Sequence, residues 1–402
     1  MWPSIVPPSA ASDTNTLATI TEAAAAAVGL REGPGGVMDI VRHVAGHEPV
    51  SVSELSRLSQ LPVPLVAAVC GELRSHDVLS RTRPATLSEH GRRIALPLLA
   101  LRQLDCTCST CSGTGVVVPA GLESIAEQLE QYAGEAPNAD MTLDQAHCTT
   151  ETKLKRALLL ARAGRLTSGP ILFLGDDDLI SVTVALVAKH LGLSTMLSRL
   201  IALDVDPRIV GFLQTTLDDL DVIATAQTYD ARDPLPDEVI GACATVVTDP
   251  PYTVNGGTLF LSRGVDALMP DARGEILLSF GAKGPADTLE LQARTASMGL
   301  MTRSLVRNFN EYVGAGTIGG VSHLYDLVTA RSPNSLVEGS FTDTIYTARP
   351  NRIRTYRCQS CGLEVDVGTG GEFATIADLK AVKCSSCGSD RFRPMALKRV
   401  ER

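Results

Sequence analysis

Four acidic turns and two cysteine pairs are the places where this chain could do chemistry. Gly175-Asp176-Asp177-Asp178 follows the apolar run Ile171 to Leu174. A pyrophosphate site there would need G-x-G-x-x-G so that backbone amides could approach the anion, and three carboxylates oppose that charge. NAD, FAD and ATP are therefore poor ligands, whereas a nucleoside without phosphate fits. The next apolar run ends in Asp204-Val205-Asp206-Pro207. Its offset from the first turn is close to that of an acid that accepts hydrogen bonds from ribose hydroxyls. Tyr229-Asp230-Ala231-Arg232-Asp233 is suited to reading an adenine edge. In Asp249-Pro250-Pro251-Tyr252 the Asp and a Pro carbonyl can accept hydrogen bonds from an amine, while the Tyr ring packs on it or attracts it as a cation. Each piece has a blander reading, since Asp-rich turns cap helices and D-P-P makes ordinary turns. Their shared order, each behind an apolar strand, favours function.

The cysteines point to metal. Cys358-x-x-Cys361 and Cys384-x-x-Cys387, with 22 residues between the pairs, form a zinc-ribbon pattern. Four thiolates from two knuckles fill a tetrahedral zinc site, so the expected role is structural. The spacer slightly exceeds the common range of about 15 to 20 residues. Arg352, Arg354, Arg357, Lys380, Lys383, Arg391 and Arg393 surround it, either as a solvated basic face, the preferred reading, or as a nucleic-acid surface. Cys106, Cys108 and Cys111 resemble half of a zinc knuckle, which Cys148 or His147 could complete; free thiols in a linker are the equal alternative. Cys70 and Cys243 lie in apolar segments and read as core.

The elements that must position these residues follow from periodicity. After a loose Pro/Ser-rich arm and an Ala-rich helix, one helix starts at Val37, a second is capped by Ser51 or Ser53, and a third runs from about Pro64 to Arg74. Leu79 to Ile94 reads as a hairpin, and three helices with a hairpin resemble a winged helix. Such units commonly read DNA, but Pro64 to Arg74 holds one basic and one acidic residue, too few phosphate-binding groups for a groove. Dimerisation or a substrate lid is the preferred role. Further on, Ile171–Leu174, the helix Leu179 to His190, Leu200–Leu203 and Ala244–Thr248 give the alternation of a doubly wound parallel sheet, whose ligands bind beyond the carboxyl ends of the strands.

The fold class is therefore α/β, with a Rossmann-like domain, an N-terminal winged helix and a C-terminal zinc ribbon. The expected boundaries are 1–104, 105–345 and 346–402. At 402 residues, with 44% hydrophobic and 20% charged side chains, the chain is long enough for several folded units, and disorder is excluded as its main theme. No run approaches the roughly 18 apolar residues of a membrane span. Met1-Trp2-Pro3-Ser4 lacks a basic signal region, so a cytoplasmic protein is expected. The net charge of −9 is unevenly spread. Residues 1–105 carry 9 basic and 10 acidic side chains, residues 106–339 carry 16 and 28, and residues 340–402 carry 11 and 7. An acidic centre repels polyphosphate and attracts cations.

The four turns in this order resemble S-adenosylmethionine-dependent transferases that act on amino nitrogens. More specifically, the stretch from about Asp144 to Tyr312 resembles the branched-chain polyamine synthases, the N(4)-bis(aminopropyl)spermidine synthases. The likeness rests on Asp144-Gln145 with Thr149, Glu151 and Thr152; on Leu174 to Leu179; on Leu203 to Asp206; on Asp230 to Pro236; on Thr248 to Thr253; on Leu259 to Gly264; and on Phe309-Asn310-Glu311-Tyr312. It implies a winged helix joined to a Rossmann-like domain, and transfer of aminopropyl groups from decarboxylated S-adenosylmethionine to a secondary amine of a polyamine such as spermidine. Both substrates are cations, as the acidic centre requires. One carboxylate should take the proton of the attacking amine while others neutralise the remaining ammonium groups. The candidates are Asp176, Asp177, Asp178 and Asp249, with Tyr252 beside them and their roles unresolved. Gly175, Asp204, Asp206, Asp230, Pro250 and Pro251 are the candidates for holding the donor. A homodimer is expected and nucleic acid is not favoured as a partner. Two alternatives stay open: an N-methyltransferase on an amino group of nucleic acid, which the acidic first turn opposes, and a DNA-binding polyamine sensor, which the non-basic third helix opposes.

Overall fold

In a computed structural model, residues 16–100, 106, 108, 115–270, 274–313, 320–330, 333–346, 352–368, 371–373 and 376–399 are described. The arm before residue 16 and Cys111 lie outside them. The chain divides into two compact units, Met1–Ile345 and Tyr346–Arg402. No described helix is long and apolar enough to cross a membrane.

The first helices are set by their caps. Thr16 caps α1 (Leu17–Val28) through the Thr19 amide, and Gly29 ends it in the left-handed conformation. Next come α2 (Gly33–His47), with Pro34 in its first turn, α3 (Val52–Ser59), capped by Ser51 onto the Glu54 amide, and α4 (Val63–Ser75). Ile20, Ile40, Val41, Val44, Leu55, Val66, Val69 and Leu73 meet in their shared core, with Cys70 among them. The hairpin expected over Leu79 to Ile94 is only partly formed. Single bridges join Leu79 to Leu87 and Val50 to Ala85, but the second half is helical: α5 (Glu89–Ile94), followed by α6 (Leu96–Ala100). Ser88 accepts from the Gly91 amide at 2.8 Å, Glu89 sits in the first turn and Arg92 and Arg93 in the last. Gly91 packs so close that a Cβ would stand 2.0 Å from Val78 O, which fixes this helix against the turn before it.

After α7 (Glu123–Glu135) and α8 (Thr150–Arg162), strand and helix alternate as the sequence requires: β1 (Ile171–Leu174), α9 (Ile180–His190), β2 (Leu200–Asp204), α10 (Pro207–Asp219), β3 (Ala224–Thr228), β4 (Thr245–Thr248), α11 (Val254–Ala267), β5 (Glu275–Phe280), α12 (Pro285–Ser297), β6 (Leu300–Glu311) and β7 (Val321–Thr329). The sheet order is β3-β2-β1-β4-β5-β7-β6, with β7 antiparallel to both neighbours. This is the Rossmann-like transferase architecture. β1, β2 and β4 are buried at every position, as strands covered on both faces must be. Helix α9 is buried from Ile180 to Ala188 and forms the centre of the main core. The second unit is a three-stranded antiparallel sheet, β8 (Arg352–Cys358), β9 (Glu364–Val367) and β10 (Phe392–Arg399) in the order β10-β8-β9, with the short helix α13 (Ile376–Val382).

Candidate active site

The carboxyl ends of β1, β2 and β4 lie side by side, in register Leu174↔Leu203 and Leu174↔Thr248. Their turns therefore converge, and each acidic residue meets a different environment. The chain leaves β1 through Gly175 at φ +77°, a left-handed conformation that glycine adopts without strain. It re-enters α9 through Leu179 at φ +58°, which costs a leucine about 1–2 kcal/mol. Residues 176–178 thus form a tight bend whose strained exit is held by the hydrogen bonds around it.

Asp176 is turned inward. Its carboxylate accepts from the Ile180 amide at 2.7 Å and from the Ser181 hydroxyl at 2.5 Å, so it caps the start of α9. Burial pushes this carboxyl up to about 7 against those donors. Asp178 is also buried. It accepts from the Cys148 amide at 2.5 Å and from Arg156 Nη1 at 2.8 Å. Burial works against its charge, but Arg156 and Lys153 outweigh it and hold the carboxyl below the ordinary carboxylate range. Asp177, between them, is half-buried, and among the described residues no donor reaches its carboxylate. Burial, then Asp178, Asp204 and Asp249, raise its proton affinity well above that of an ordinary carboxyl, with Lys153 opposing.

Asp204, at the end of β2, accepts from the Asp176 amide at 2.9 Å and the Asp206 amide at 2.8 Å, joining the first two turns. Asp206 caps α10 and binds Arg208 Nη2 at 2.5 Å. Asp230 in the third turn similarly holds its own Arg232, Nη2 to Oδ2 at 2.5 Å. At the end of β4, Asp249 is the target of three donors: Arg156 Nη2 at 2.7 Å, Tyr252 OH at 2.9 Å and Tyr312 OH at 2.6 Å. Burial raises its carboxyl, with Arg156 opposing, while the three converging donors favour the anion. Pro250 and Pro251 are buried behind it, and Thr253 caps α11 through the Gly256 amide. The Tyr252 ring leans on Phe280 with centroids 5.4 Å apart.

Asp176–Asp178, Asp204, Asp249 and Tyr252 are thus brought together at the strand ends, all but the Asp177 carboxylate hydrogen-bonded to described residues, while Asp206 and Asp230 stand on the second and third turns with an arginine each. Sequence reasoning missed the cluster's cations. Arg156 and Lys153 are both 2% exposed on α8, and Lys153 Nζ donates to Asp178 O at 2.7 Å. Asn310, with Oδ1 on Arg156 Nε at 2.8 Å, belongs to the same network, as does Ser322. The available signal was a Thr149 cap followed by charges at positions 153 and 156 that recur on one helix face.

His147, Asp177 and Asp178 offer ligand atoms within 4.8 Å of one another. They make a poor cation site, because the His147 nitrogens face the carbonyls of Asp177 at 2.8 Å and Pro137 at 3.2 Å, and Asp178 is already paired. Cys106 and Cys108 join no cluster of metal-binding residues among the described residues, and Cys148 is buried beside Lys153. Cys243 is fully buried, as expected of core. In the second unit, by contrast, the sulfurs of Cys358, Cys361, Cys384 and Cys387 all lie within 4.8 Å, with Cys358···Cys387 at 3.6 Å and Cys361···Cys384 at 3.5 Å. A tetrahedron with Zn–S of about 2.3 Å separates its sulfurs by about 3.8 Å, so the donor set fits zinc. The Cys361 and Ser360 amides draw the Cys358 thiol down to about 6, towards the thiolate a metal binds.

Residues 124–370 match the family described as branched-chain polyamine synthase A C-terminal domain. The chain is 34% identical over 367 residues to an uncharacterized protein of Methanocaldococcus jannaschii, covering 90% of this chain and 89% of that one. It is 31% identical over 265 residues to N(4)-bis(aminopropyl)spermidine synthase of Thermococcus kodakarensis, covering 65% and 73%. Among solved structures, the branched-chain polyamine synthase from Thermus thermophilus, in complex with N4-aminopropylspermidine and 5'-methylthioadenosine, is similar with a TM-score of 0.51 and 25% identity. That match covers 82% of this chain and 97% of the other.

Proposed function

The chain belongs to the branched-chain polyamine synthase family, and on that premise we propose that it is an aminopropyltransferase. It moves aminopropyl groups from decarboxylated S-adenosylmethionine to a secondary amine of a polyamine such as spermidine, forming branched polyamines. The observation that carries the reading is the anionic cluster at the strand ends, in which no donor from the described residues reaches the Asp177 carboxylate. The donor is a sulfonium with a free ammonium and no carboxylate, and the acceptor is a polycation, so both gain from a site that contains several carboxylates. The Thermus relative holds 5'-methylthioadenosine, the nucleoside such a transfer leaves behind, with an aminopropylated spermidine.

The attacking nitrogen must first lose its proton. Asp177 takes it, with its raised proton affinity matched to an ammonium better than an ordinary carboxylate would be. The nitrogen lone pair then forms a bond to the propyl carbon beside sulfur. The C–S bond breaks with its electrons going to sulfur, leaving a neutral thioether. Asp249 and the carbonyls of Pro250 and Pro251 orient the amine, with Tyr252 against it. Gly175 lets the backbone approach the nucleoside, Asp204 and Asp206 serve its ribose, and Asp230 its base. Asp176 and Asp178 hold the bend that presents Asp177. Cys358, Cys361, Cys384 and Cys387 would hold zinc, which would supply four bonds that fix the ribbon.

The test incubates the purified chain with spermidine and either decarboxylated or ordinary S-adenosylmethionine and weighs the products by mass spectrometry. Aminopropyl adducts with the decarboxylated donor alone are expected. Methyl adducts from the ordinary donor, with no aminopropyl product from any polyamine, would reject the proposal.

A further inference from the structure

Arg156 carries a charge into the most buried part of the site, yet neither a motif nor a turn marks it. Its guanidinium spends its donors in a fork: Nε on Asn310 Oδ1 at 2.8 Å, Nη1 on Asp178 Oδ2 at 2.8 Å, and Nη2 on Asp249 Oδ2 at 2.7 Å and Tyr312 OH at 3.1 Å. Asn310 is in turn fixed by donating Nδ2 to Ser322 Oγ at 2.8 Å, so the fork cannot rotate about its own stem.

We propose that Arg156 is the positioning residue of the site. It clamps the turn after β1 to the turn after β4, holds Asp178 and Asp249 in place as anions, and so leaves Asp177 as the carboxylate free to accept the proton. This rests on the proton-acceptor role given to Asp177 above.

Three considerations carry the inference. A buried cation with two buried anions is weak as a source of stability, because desolvation offsets the attraction and apolar replacements are often neutral or better. Holding geometry is then the better account of its presence. Next, β1 and β4 are paired only as far as Leu174 and Thr248. Asp178 lies four residues past the first and Asp249 one past the second, so the sheet does not set their separation and a planar fork does. A lysine has one point of attachment and cannot reproduce this. Finally, the groups facing Asp177 are Asp178, Asp204 and Asp249 on one side of the balance and Lys153 on the other, with His147 on its carbonyl and Tyr252 and Tyr312 on Asp249. Arg156 offsets the two anions it binds, which keeps Asp178 and Asp249 from competing with Asp177 for the same proton.

The test uses Arg156→Gln, Arg156→Lys and Asn310→Ala in the full chain. Turnover, affinity for 5'-methylthioadenosine and the infrared band of protonated carboxyls are each followed against pH. In Arg156→Gln, kcat should fall roughly 100-fold from misplacement of the two turns. Nucleoside affinity should hold, and the carboxyl band should persist to higher pH because a neighbouring positive charge is gone. Arg156→Lys should lose rate to a similar degree while the band titrates as in the wild type, since charge is kept and only the fork is lost. Asn310→Ala keeps both ion pairs, so it serves if the glutamine variant does not fold; a fall of roughly tenfold in kcat with unchanged nucleoside affinity is expected. Wild-type kcat in both Arg156→Lys and Asn310→Ala would overturn the proposal. So would slow variants whose nucleoside-binding capacity falls in proportion to rate with an unmoved band, the mark of lost fold alone. Should the wild type transfer no aminopropyl group while the band still moves in Arg156→Gln, the functional reading fails and the clamp stands.

Discussion

Asp177 and Asp249 stand in one cluster under opposite conditions, and that difference can be measured. Asp249 accepts three hydrogen bonds, one from a guanidinium, whereas Asp177 accepts none from the described residues. Asp177→Asn removes a proton acceptor and no partner. Its kcat should fall about 10²- to 10⁴-fold, with the thermal midpoint and nucleoside affinity unchanged. Asp249→Asn leaves Arg156 with one buried anion in place of two, so it should lose about 3 kcal/mol of stability as well as rate; equal stability of the two variants would contradict the division of roles. The pH dependence follows from the same environment. A base works when deprotonated, so kcat/KM falls as pH drops through its pKa. Burial and three carboxylates raise that value, which puts the acid limb above the ordinary Asp value of about 4. Asp177→Asn should lose that limb. The acidic residues were legible because each follows an apolar strand directly. Arg156 was not: a lone arginine on a helix reads as a solvated face, and its partners Asp249 and Asn310 lie 93 and 154 residues further along.

At the scale of elements, the opposite end of β5 carries a second buried ion network that positions strands and not chemistry. Glu275 is 2% exposed and receives Arg165 Nε at 2.7 Å and Arg303 Nη1 at 2.8 Å, while Arg303 also binds Asp326 on β7 at 2.8 Å. These pairs bind the segment before β1 and the β6–β7 pair to the start of β5. Burial raises the Glu275 carboxyl, but Arg165 and Arg303 outweigh it and hold it below its usual range. Its contribution is therefore fully present above the unfolded value near 4.3 and is lost as pH falls through the lower folded value. Glu275→Gln should destabilise the chain by about 3–5 kcal/mol, since two arginines are left without their charge partner. It should also flatten the acid side of the stability curve; a melting point within 1 °C of wild type, roughly 0.7 kcal/mol for a unit of this size, would refute this role. The strands that these pairs join were only partly legible. β1, β2 and β4 announce themselves as short apolar runs, whereas in β6 polar residues and register shifts break the alternation. The half of the expected hairpin that became α5 carried its own signal in Ser88, Glu89 and the paired arginines, which the turn-like Gly91 masked.

Across the whole chain, two kinds of stabilisation are separated by sequence. The unit Met1–Ile345 contains large apolar cores, while in Tyr346–Arg402 the buried apolar cluster among the described residues consists of Cys358, Val365, Val367, Leu379, Cys384 and Phe392. Two of those six are proposed metal ligands, and the remainder cannot support a unit of this size by burial alone. Binding of structural zinc by four thiolates is worth about 10–16 kcal/mol at neutral pH and, with zinc bound here, would be the larger part of the unit's folding free energy. Cys384→Ser, or a strong chelator on the wild type, should therefore reduce bound zinc from one per chain towards none. Amide exchange in β8, β9 and β10 should rise to that of an unfolded segment, while β1, β2 and β4 keep their protection. Because metal binding requires thiolates, the same loss should occur in the wild type as pH is lowered, and readdition of zinc at neutral pH should restore protection to the chelated protein and not to the variant. Full protection of β8 to β10 in a zinc-free chain would show that the four sulfurs approach one another for reasons other than metal.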